Sequence, residues 1–159
     1  MIAIYPGTFD PLTIGHFDLA ERASKMFDTL YVGVSTNATK KTLFTLDERI
    51  DLAKNALKSF DNIIVEGFDG LLVDYAKKIG ANYIIRGMRA VSDFEYEFQL
   101  SLMNRKLNNN IETIFMMPSQ ENIFLSSTLI KDIAKHGGDL SKFVTKNVEE
   151  KLLDKFSNL

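Results

Sequence analysis

The sequence predicts an α/β fold, a doubly wound parallel sheet of five strands with helices on both faces. Three observations carry this expectation. Short apolar runs of strand length alternate along the whole chain with amphipathic segments of helical period. The runs stop at Gly, Pro or a helix-capping pattern. No linker, repeat or low-complexity tract interrupts them, so the 159 residues suit one domain, 1–159, with one core. Strand and helix in strict alternation imply right-handed crossovers and hence a parallel sheet.

The elements follow in order. Ile2 to Tyr5 is an apolar run that stops at Pro6-Gly7, as a buried strand does. His16 to Phe27 reads as a helix, with Phe17, Leu19, Ala20, Ala23 and Phe27 apolar at helical spacing. Leu30 to Val34 is the second strand, and 37–43 a polar loop. Thr45 to Glu48 is a capping box opening a helix through Ile50, Ala53, Leu57 and Phe60. Asn62 to Val65 is the third strand, and Leu71 to Ile79 a helix closed by Gly80. Tyr83 to Ile85 is the fourth strand, running into Arg86-Gly87. Ser92 to Glu95 is a second capping box, starting a helix to about Leu107. Thr113 to Met117 is the fifth strand. Ser126 or Ser127 caps a helix that ends before Gly137-Gly138, and Asn147 to Phe156 reads as a closing amphipathic helix. The alternation is Rossmann-like, and ligands of such sheets bind beyond the carboxyl ends of the strands.

Composition removes several classes of function. Hydrophobic residues make up 45%, with 12 Phe, and the net charge is −2, so neither disorder nor a nucleic-acid-wrapping role is expected. Without Cys there is no disulfide, thiolate nucleophile or thiolate metal site. Two His, His16 and His136, are too few for a His-built zinc site. We read no signal peptide and no run near the ~20 apolar residues of a membrane span. A cytoplasmic protein is the expectation.

The strand-to-helix loops carry the candidate chemistry. In Gly7 to His16, Gly7 permits a sharp turn or close approach to a ligand, and Thr8 offers a hydroxyl and an N–H to phosphate. Gly15 lets the chain approach a nucleotide, and His16 opens a helix whose N-terminus favours anions. The plain alternative is a tight turn before a helix. Leu125-Ser126-Ser127-Thr128 places hydroxyls at another helix start; one caps it, and three together suit nucleotide phosphates. Arg86 and Arg89 leave a strand end and suit phosphate. Their plain alternative, pairing with Asp93, Glu95 or Glu97, fits Arg105 better than Arg86, which continues an apolar strand. Lys40-Lys41 alone reads as a solvated pair.

The run GTFDPLTIGH at 7–16 resembles the T/HxGH signature of the nucleotidyltransferase superfamily. LSSTLIK at 125–131 is similar to its second signature, ISSxxxR, with Leu125 for Ile and Thr128 for Ser. Nearly the whole chain, above all IRGMRAVSDFEYE at 85–97, TKKTLFTLDERI and YPGTFDPLTIGH, resembles the bacterial phosphopantetheine adenylyltransferases. The resemblance implies transfer of the adenylyl group of ATP to 4′-phosphopantetheine in coenzyme A synthesis. It assigns His16, Lys40 and Arg86 to catalysis. Thr8, Lys40, Leu72 and Arg86 fall to the acceptor. Thr8, Phe9, His16, Gly87, Met88, Arg89 and Glu97 fall to ATP, with Asn122, Ile123, Phe124, Leu125, Ser126, Ser127 and Thr128. Tyr96 stands near the adenine side or in the core, Lys41 faces solvent, and Lys131 is either a ligand contact or a solvated charge. Mg²⁺ is expected through ATP phosphates and water, with no metal site built from side chains. A homohexamer and feedback binding of coenzyme A are implied as well, with no nucleic-acid or membrane partner. Phe94, Phe98 and Leu102 serve core or interface. A related enzyme with another acceptor, such as nicotinic acid mononucleotide, and a non-catalytic nucleotide- or coenzyme-binding module are the alternatives.

Overall fold

The computed structural model describes residues 1–36, 41–89 and 91–157; the side chains of 91–93 lie outside that description. Five strands form one wholly parallel sheet: β1 (Ile2–Gly7), β2 (Thr29–Ser35), β3 (Ile63–Phe68), β4 (Tyr83–Gly87) and β5 (Glu112–Met116). The helices are α1 (Ile14–Ser24), α2 (Leu46–Leu57), α3 (Leu72–Lys78), α4 (Val91–Leu107), α5 (Ser127–Lys135) and α6 (Lys146–Ser157). Among the described residues no helix is long and apolar enough to cross a membrane.

Side-chain alternation divides the core between the two faces. Ala3, Tyr5, Leu30, Val32, Val34 and Ile85 turn towards α1 and α2, where Leu19, Ala20, Ala23, Ala53 and Leu57 meet them. Ile4, Tyr31 and Ile84 turn the other way, onto Val73 and Ala76 of α3. Ile4, Leu30, Ile84 and Ile85 are fully buried, and each such side chain contributes about 1.5–3 kcal/mol over its exposed state. A third cluster lies outside the sheet. Ile130 and Ala134 of α5, Val148 and Leu152 of α6, and Leu140 and Val144 between them pack on Phe44 and Leu52. The closing helix thus joins the C-terminal segment to the start of α2.

The strand order β3-β2-β1-β4-β5 fixes where a ligand can sit. From β1 the chain steps outwards through β2 to β3, then returns to the other side of β1 for β4. The connections leaving β1 and β4 diverge to opposite faces, and a crevice opens between their carboxyl ends.

Helix ends bear out most of the capping patterns. Thr45 caps α2 with Glu48 in a complete capping box, and Ser126 caps α5 by accepting the Leu129 N–H at 3.1 Å. Gly80, at φ 71, follows α3 in the left-handed region, where a side chain is strained. Two starts differ from the sequence reading. Helix α1 begins at Ile14, with Thr13 as cap, because His16 itself supplies the reciprocal side chain of the box. Helix α4 begins at Val91, so Ser92 lies within its first turn instead of before it.

Candidate functional site

A cleft of about 1160 Å³ opens at the β1/β4 crevice. Ligand pockets run to ~300–1,000 Å³, so the cleft has room for a nucleotide and a second substrate. Thr8, Phe9, His16, Leu72, Arg86, Gly87, Arg89, Glu97, Asn122, Leu125, Ser126, Ser127 and Thr128 line it. Loops some 120 residues apart in sequence are thereby brought together. Lys131 and Lys41 line it as well, Lys41 being exposed as expected. Lys40 lies outside the described residues. Three expected contacts are not among its walls. Met88 is buried, its N–H held by the Met116 carbonyl at 3.0 Å. Ile123 and Phe124 are exposed away from the cleft, Phe124 edge-on to Phe143.

The first loop is built around a strained residue. Phe9 sits at φ 47, a costly value for a residue with a side chain, and its ring is buried edge-on against both Tyr5 and His16. Burial of the ring holds that turn. Gly7 serves the same ring, since a Cβ there would lie 2.8 Å from Phe9 Cζ. Gly7 is therefore needed for packing, where the sequence suggested a turn or an approach to ligand. A Cβ on Gly15 would meet Asn122 at an ordinary 3.6 Å.

His16 is held by Thr13. The Thr13 N–H donates to His16 Nδ1 at 3.0 Å, and Thr13 Oγ1 lies 3.0 Å from the same nitrogen. With Nδ1 accepting, the ring proton of neutral imidazole resides on Nε2, which leaves that N–H as a donor. Burial, and then the positive charge of Arg89, lower the His16 pKa to about 4. Near neutral pH His16 is a neutral hydrogen-bond donor, not a cation.

Two helices, α1 and α5, point their N-termini at the cleft, and neither has an acidic residue in its first turn. Helix α2, by contrast, carries Asp47 and Glu48 there and neutralises its own dipole. An anion in the cleft meets two uncompensated helix ends. The hydroxyl run at α5 is divided in use. Ser126 caps the helix, Ser127 Oγ donates to the Pro11 carbonyl at 2.8 Å, and the exposed Thr128 hydroxyl has no protein partner among the described residues.

Arg86 forms the pair that its place on the strand argued against. Its Nε and Nη2 donate to Glu97 Oε2 and Oε1 at 2.7 and 2.5 Å, and Nη1 reaches the Pro6 carbonyl at 3.4 Å. The strand brings Arg86 to the cleft rim, and α4 returns Glu97 beside it. Burial alone would lower the Arg86 pKa; the Glu97 carboxylate outweighs it and raises it. Arg105 is paired among the described residues, but with Glu112 of β5 and not with Glu95 or Glu97. Arg89 spans the cleft, Nη1 donating to the Leu125 carbonyl at 3.2 Å.

Two residues outside the sequence reading organise the floor. Asp10, 4% exposed, accepts the N–H groups of Leu43 and Phe44, each at 2.9 Å, and the Lys131 ammonium at 2.7 Å. Lys131 is thus neither a lone solvated charge nor a free one. Arg49, 2% exposed, donates from Nη1 to the carbonyls of Thr8 at 2.7 Å and Ser35 at 2.8 Å, and from Nε to Phe44 at 3.3 Å. Together they tie the first loop, the end of β2, the segment after Lys40 and α5 into one unit. The only sequence signal was charge at 10 and 49 inside otherwise assigned runs.

Known structures share this architecture. A protein of Vibrio parahaemolyticus, provisionally named a nicotinate-nucleotide adenylyltransferase, is 21% identical and superposes with a TM-score of 0.75 over 96% of this chain and 97% of its own. A lipopolysaccharide core biosynthesis protein of Thermoplasma volcanium is 24% identical, with a TM-score of 0.54 over 75% of this chain and 96% of its own. Both likenesses concern the fold. The cytidylyltransferase-like family model matches residues 4–133, which include most of β1, the cleft and most of α5, and the chain belongs to that family, within the nucleotidyltransferase superfamily.

Proposed function

We propose that the chain transfers the adenylyl group of ATP to 4′-phosphopantetheine, giving dephospho-coenzyme A and pyrophosphate. The observation that supports the transfer best is the junction of two uncompensated helix N-termini, the Nε2–H donor of His16 and the Arg86 guanidinium in one cleft. The choice of acceptor rests on the resemblance of 85–97 and its neighbours to the phosphopantetheine adenylyltransferases.

The acceptor phosphate, with a second pKa of ~6, is already ionised near neutral pH and needs no strong base. One of its oxygens forms a bond to the α-phosphorus of ATP while the bond from that phosphorus to the bridging oxygen breaks in line. Pyrophosphate leaves with the bond pair. His16 donates Nε2–H to the charge that develops, Arg86 and Lys40 hold the acceptor phosphate, and the α5 N-terminus with Thr128 holds the leaving group. Catalysis is positioning and charge stabilisation. Asp10 is committed to Lys131 and two backbone N–H groups, and no cluster of three His, Cys, Asp or Glu occurs among the described residues. That donor set suits Mg²⁺ held by nucleotide oxygens and water, where it would neutralise phosphate charge.

Assembly as a homohexamer, coenzyme A binding in the same cleft and a cytoplasmic location belong to this reading. Phe94, Phe98 and Leu102 are 45–50% exposed along α4 and supply an apolar face for contact between copies. A second reading, with nicotinic acid mononucleotide as acceptor, draws on the name of the Vibrio protein of similar fold. Pyrophosphate release from ATP or CTP, measured with each acceptor in Mg²⁺, separates them. Release that requires ATP and 4′-phosphopantetheine supports the proposal. Release only with nicotinic acid mononucleotide, or only from CTP, overturns it.

A further inference from the structure

Both carboxylate oxygens of Glu97 are spent on Arg86, and the pair is largely shielded, with side chains 27% and 11% exposed for Arg86 and Glu97 respectively. Nη1 of Arg86 makes no bond to the carboxylate and has a long contact to the Pro6 carbonyl. An anion arriving at Arg86 therefore meets a guanidinium already neutralised by an internal carboxylate. If the anion takes the guanidinium over, Glu97 is stranded as a buried charge without a partner, which is strongly unfavourable. If the anion settles beside the intact pair, it is repelled by Glu97. Either way the penalty is relieved only when Glu97 receives other hydrogen-bond donors. The backbone around Glu97 cannot give them, because it lies mid-helix in α4, where N–H groups are used within the helix. A ligand that carries hydroxyl groups can supply them, because Glu97 lines the cleft where that ligand sits.

We infer that Glu97 couples the two substrates: it suppresses anion binding at Arg86 until hydroxyl groups of the nucleotide ribose take over its carboxylate. This rests on the proposed function for the placing of ATP and the acceptor phosphate, and deepens it by giving the site a requirement for both. An acceptor phosphate alone, or inorganic phosphate, gains little from Arg86. With the nucleotide in place the guanidinium turns its full charge on the acceptor. By linkage the acceptor tightens nucleotide binding by the same factor.

The test is calorimetric titration with 4′-phosphopantetheine and, separately, with inorganic phosphate. Each is measured alone, with saturating α,β-methylene-ATP, and with tripolyphosphate, which brings the phosphates without a ribose. In the wild-type protein the ATP analogue should tighten both anions by about tenfold or more, and tripolyphosphate should not. In Glu97→Gln each anion alone should bind about tenfold tighter, and the effect of the analogue should fall towards one. The wild-type comparison needs no variant to fold. Equal anion affinity with and without the analogue, equal tightening by tripolyphosphate, or weaker anion binding in Glu97→Gln would each overturn the inference. If 4′-phosphopantetheine never binds while inorganic phosphate shows the full pattern, the coupling stands and the proposed acceptor falls. If 4′-phosphopantetheine binds and is adenylylated without coupling, the acceptor stands and the coupling falls.

Discussion

Replacing Arg49 by methionine, which keeps an unbranched apolar stem and removes the charge, should destabilise the fold by about 4 kcal/mol. Arg49 is 2% exposed and donates three hydrogen bonds, two of them at 2.7 and 2.8 Å. A bond from a charged donor is worth about 1.5–3 kcal/mol, and an orphaned buried carbonyl costs about 1–3 kcal/mol. Those figures overlap for the same contact and do not add. The long bond to Phe44 adds little, and two strong bonds therefore set the scale at about 4 kcal/mol. The removed charge also leaves Asp10 with Lys131 alone as a cation. A domain of this size has about 5–15 kcal/mol in total, so the variant should still fold, with Tm lower by about 8–16 °C. Arg49→Lys keeps the charge but reaches fewer carbonyls, and should lose about half as much. Urea titration and thermal melting by circular dichroism measure both. A loss below about 1 kcal/mol in Arg49→Met would refute the view that this guanidinium holds the cleft floor.

Three further outcomes follow from the same geometry. His16→Ala should lower kcat by at least ~100-fold in the pyrophosphate-release assay while remaining folded; near-normal turnover would remove His16 from the mechanism. The His16 pKa of about 4 lies below the ordinary 6.5, so the unfolded chain binds the proton first and stability falls as pH drops from 6.5 towards 4. Between pH 7 and 5, His16→Gln should remove about 1–2 kcal/mol of that slope, and identical slopes in urea titrations would contradict the assignment. The last outcome separates two neighbours in one hydroxyl run. Ser127→Ala should cost about 1 kcal/mol of stability through its bond to Pro11, whereas Thr128→Val should leave Tm unchanged and raise the KM for ATP about tenfold. Reversed effects would reverse their roles.

Local signals were legible because their partners lie within a few residues. The Thr45–Glu48 box, the Ser126 cap and Gly80 each act over one helical turn, and the chain pattern around them says so. The alternation of strands with helices likewise announced a parallel sheet covered on both faces. Helix α1 misled by two residues because an imidazole stands where a capping box ordinarily has Glu or Gln. Strands β1 and β4 ran past Tyr5 and Ile85 because Gly7 still pairs with Val34, and Gly87 with Met116. The floor of the cleft was not legible at all. Asp10 binds backbone 33 and 34 residues away and a side chain 121 away, and Arg49 binds a carbonyl 41 residues back. Neither spacing corresponds to any local period, and an isolated charge in a loop or on a helix reads as solvent-facing. The Arg86–Glu97 pair failed for a related reason. An eleven-residue separation crosses a strand end, a loop and two helical turns, so only the folded chain shows that α4 returns to the strand.

The residues named by the resemblance, with the two of the cleft floor, are sorted by where their hydrogen bonds are already spent. Ser126, Ser127, Arg49 and Asp10 are committed to the protein, so they act on a ligand only by holding other groups in place. His16 is committed at Nδ1 and open at Nε2, and Thr128 and the two helix ends keep donors for a ligand. Arg86 belongs to neither class, since its donors are spent on a carboxylate that itself lines the cleft. Substitution of the first class should therefore move stability more than turnover, and substitution of the second should do the reverse. Arg86→Lys should show a third behaviour: a point-charge ammonium cannot grip Glu97 with two parallel bonds, so the pair loosens and the acceptor loses its bidentate partner together. Acceptor affinity in Arg86→Lys should then fall at least about tenfold with the ATP analogue bound, with far less change when the acceptor is measured alone. An equal fall in both states would mean that Arg86 meets the acceptor whether or not Glu97 is engaged, and would place it among the simple ligand-facing donors.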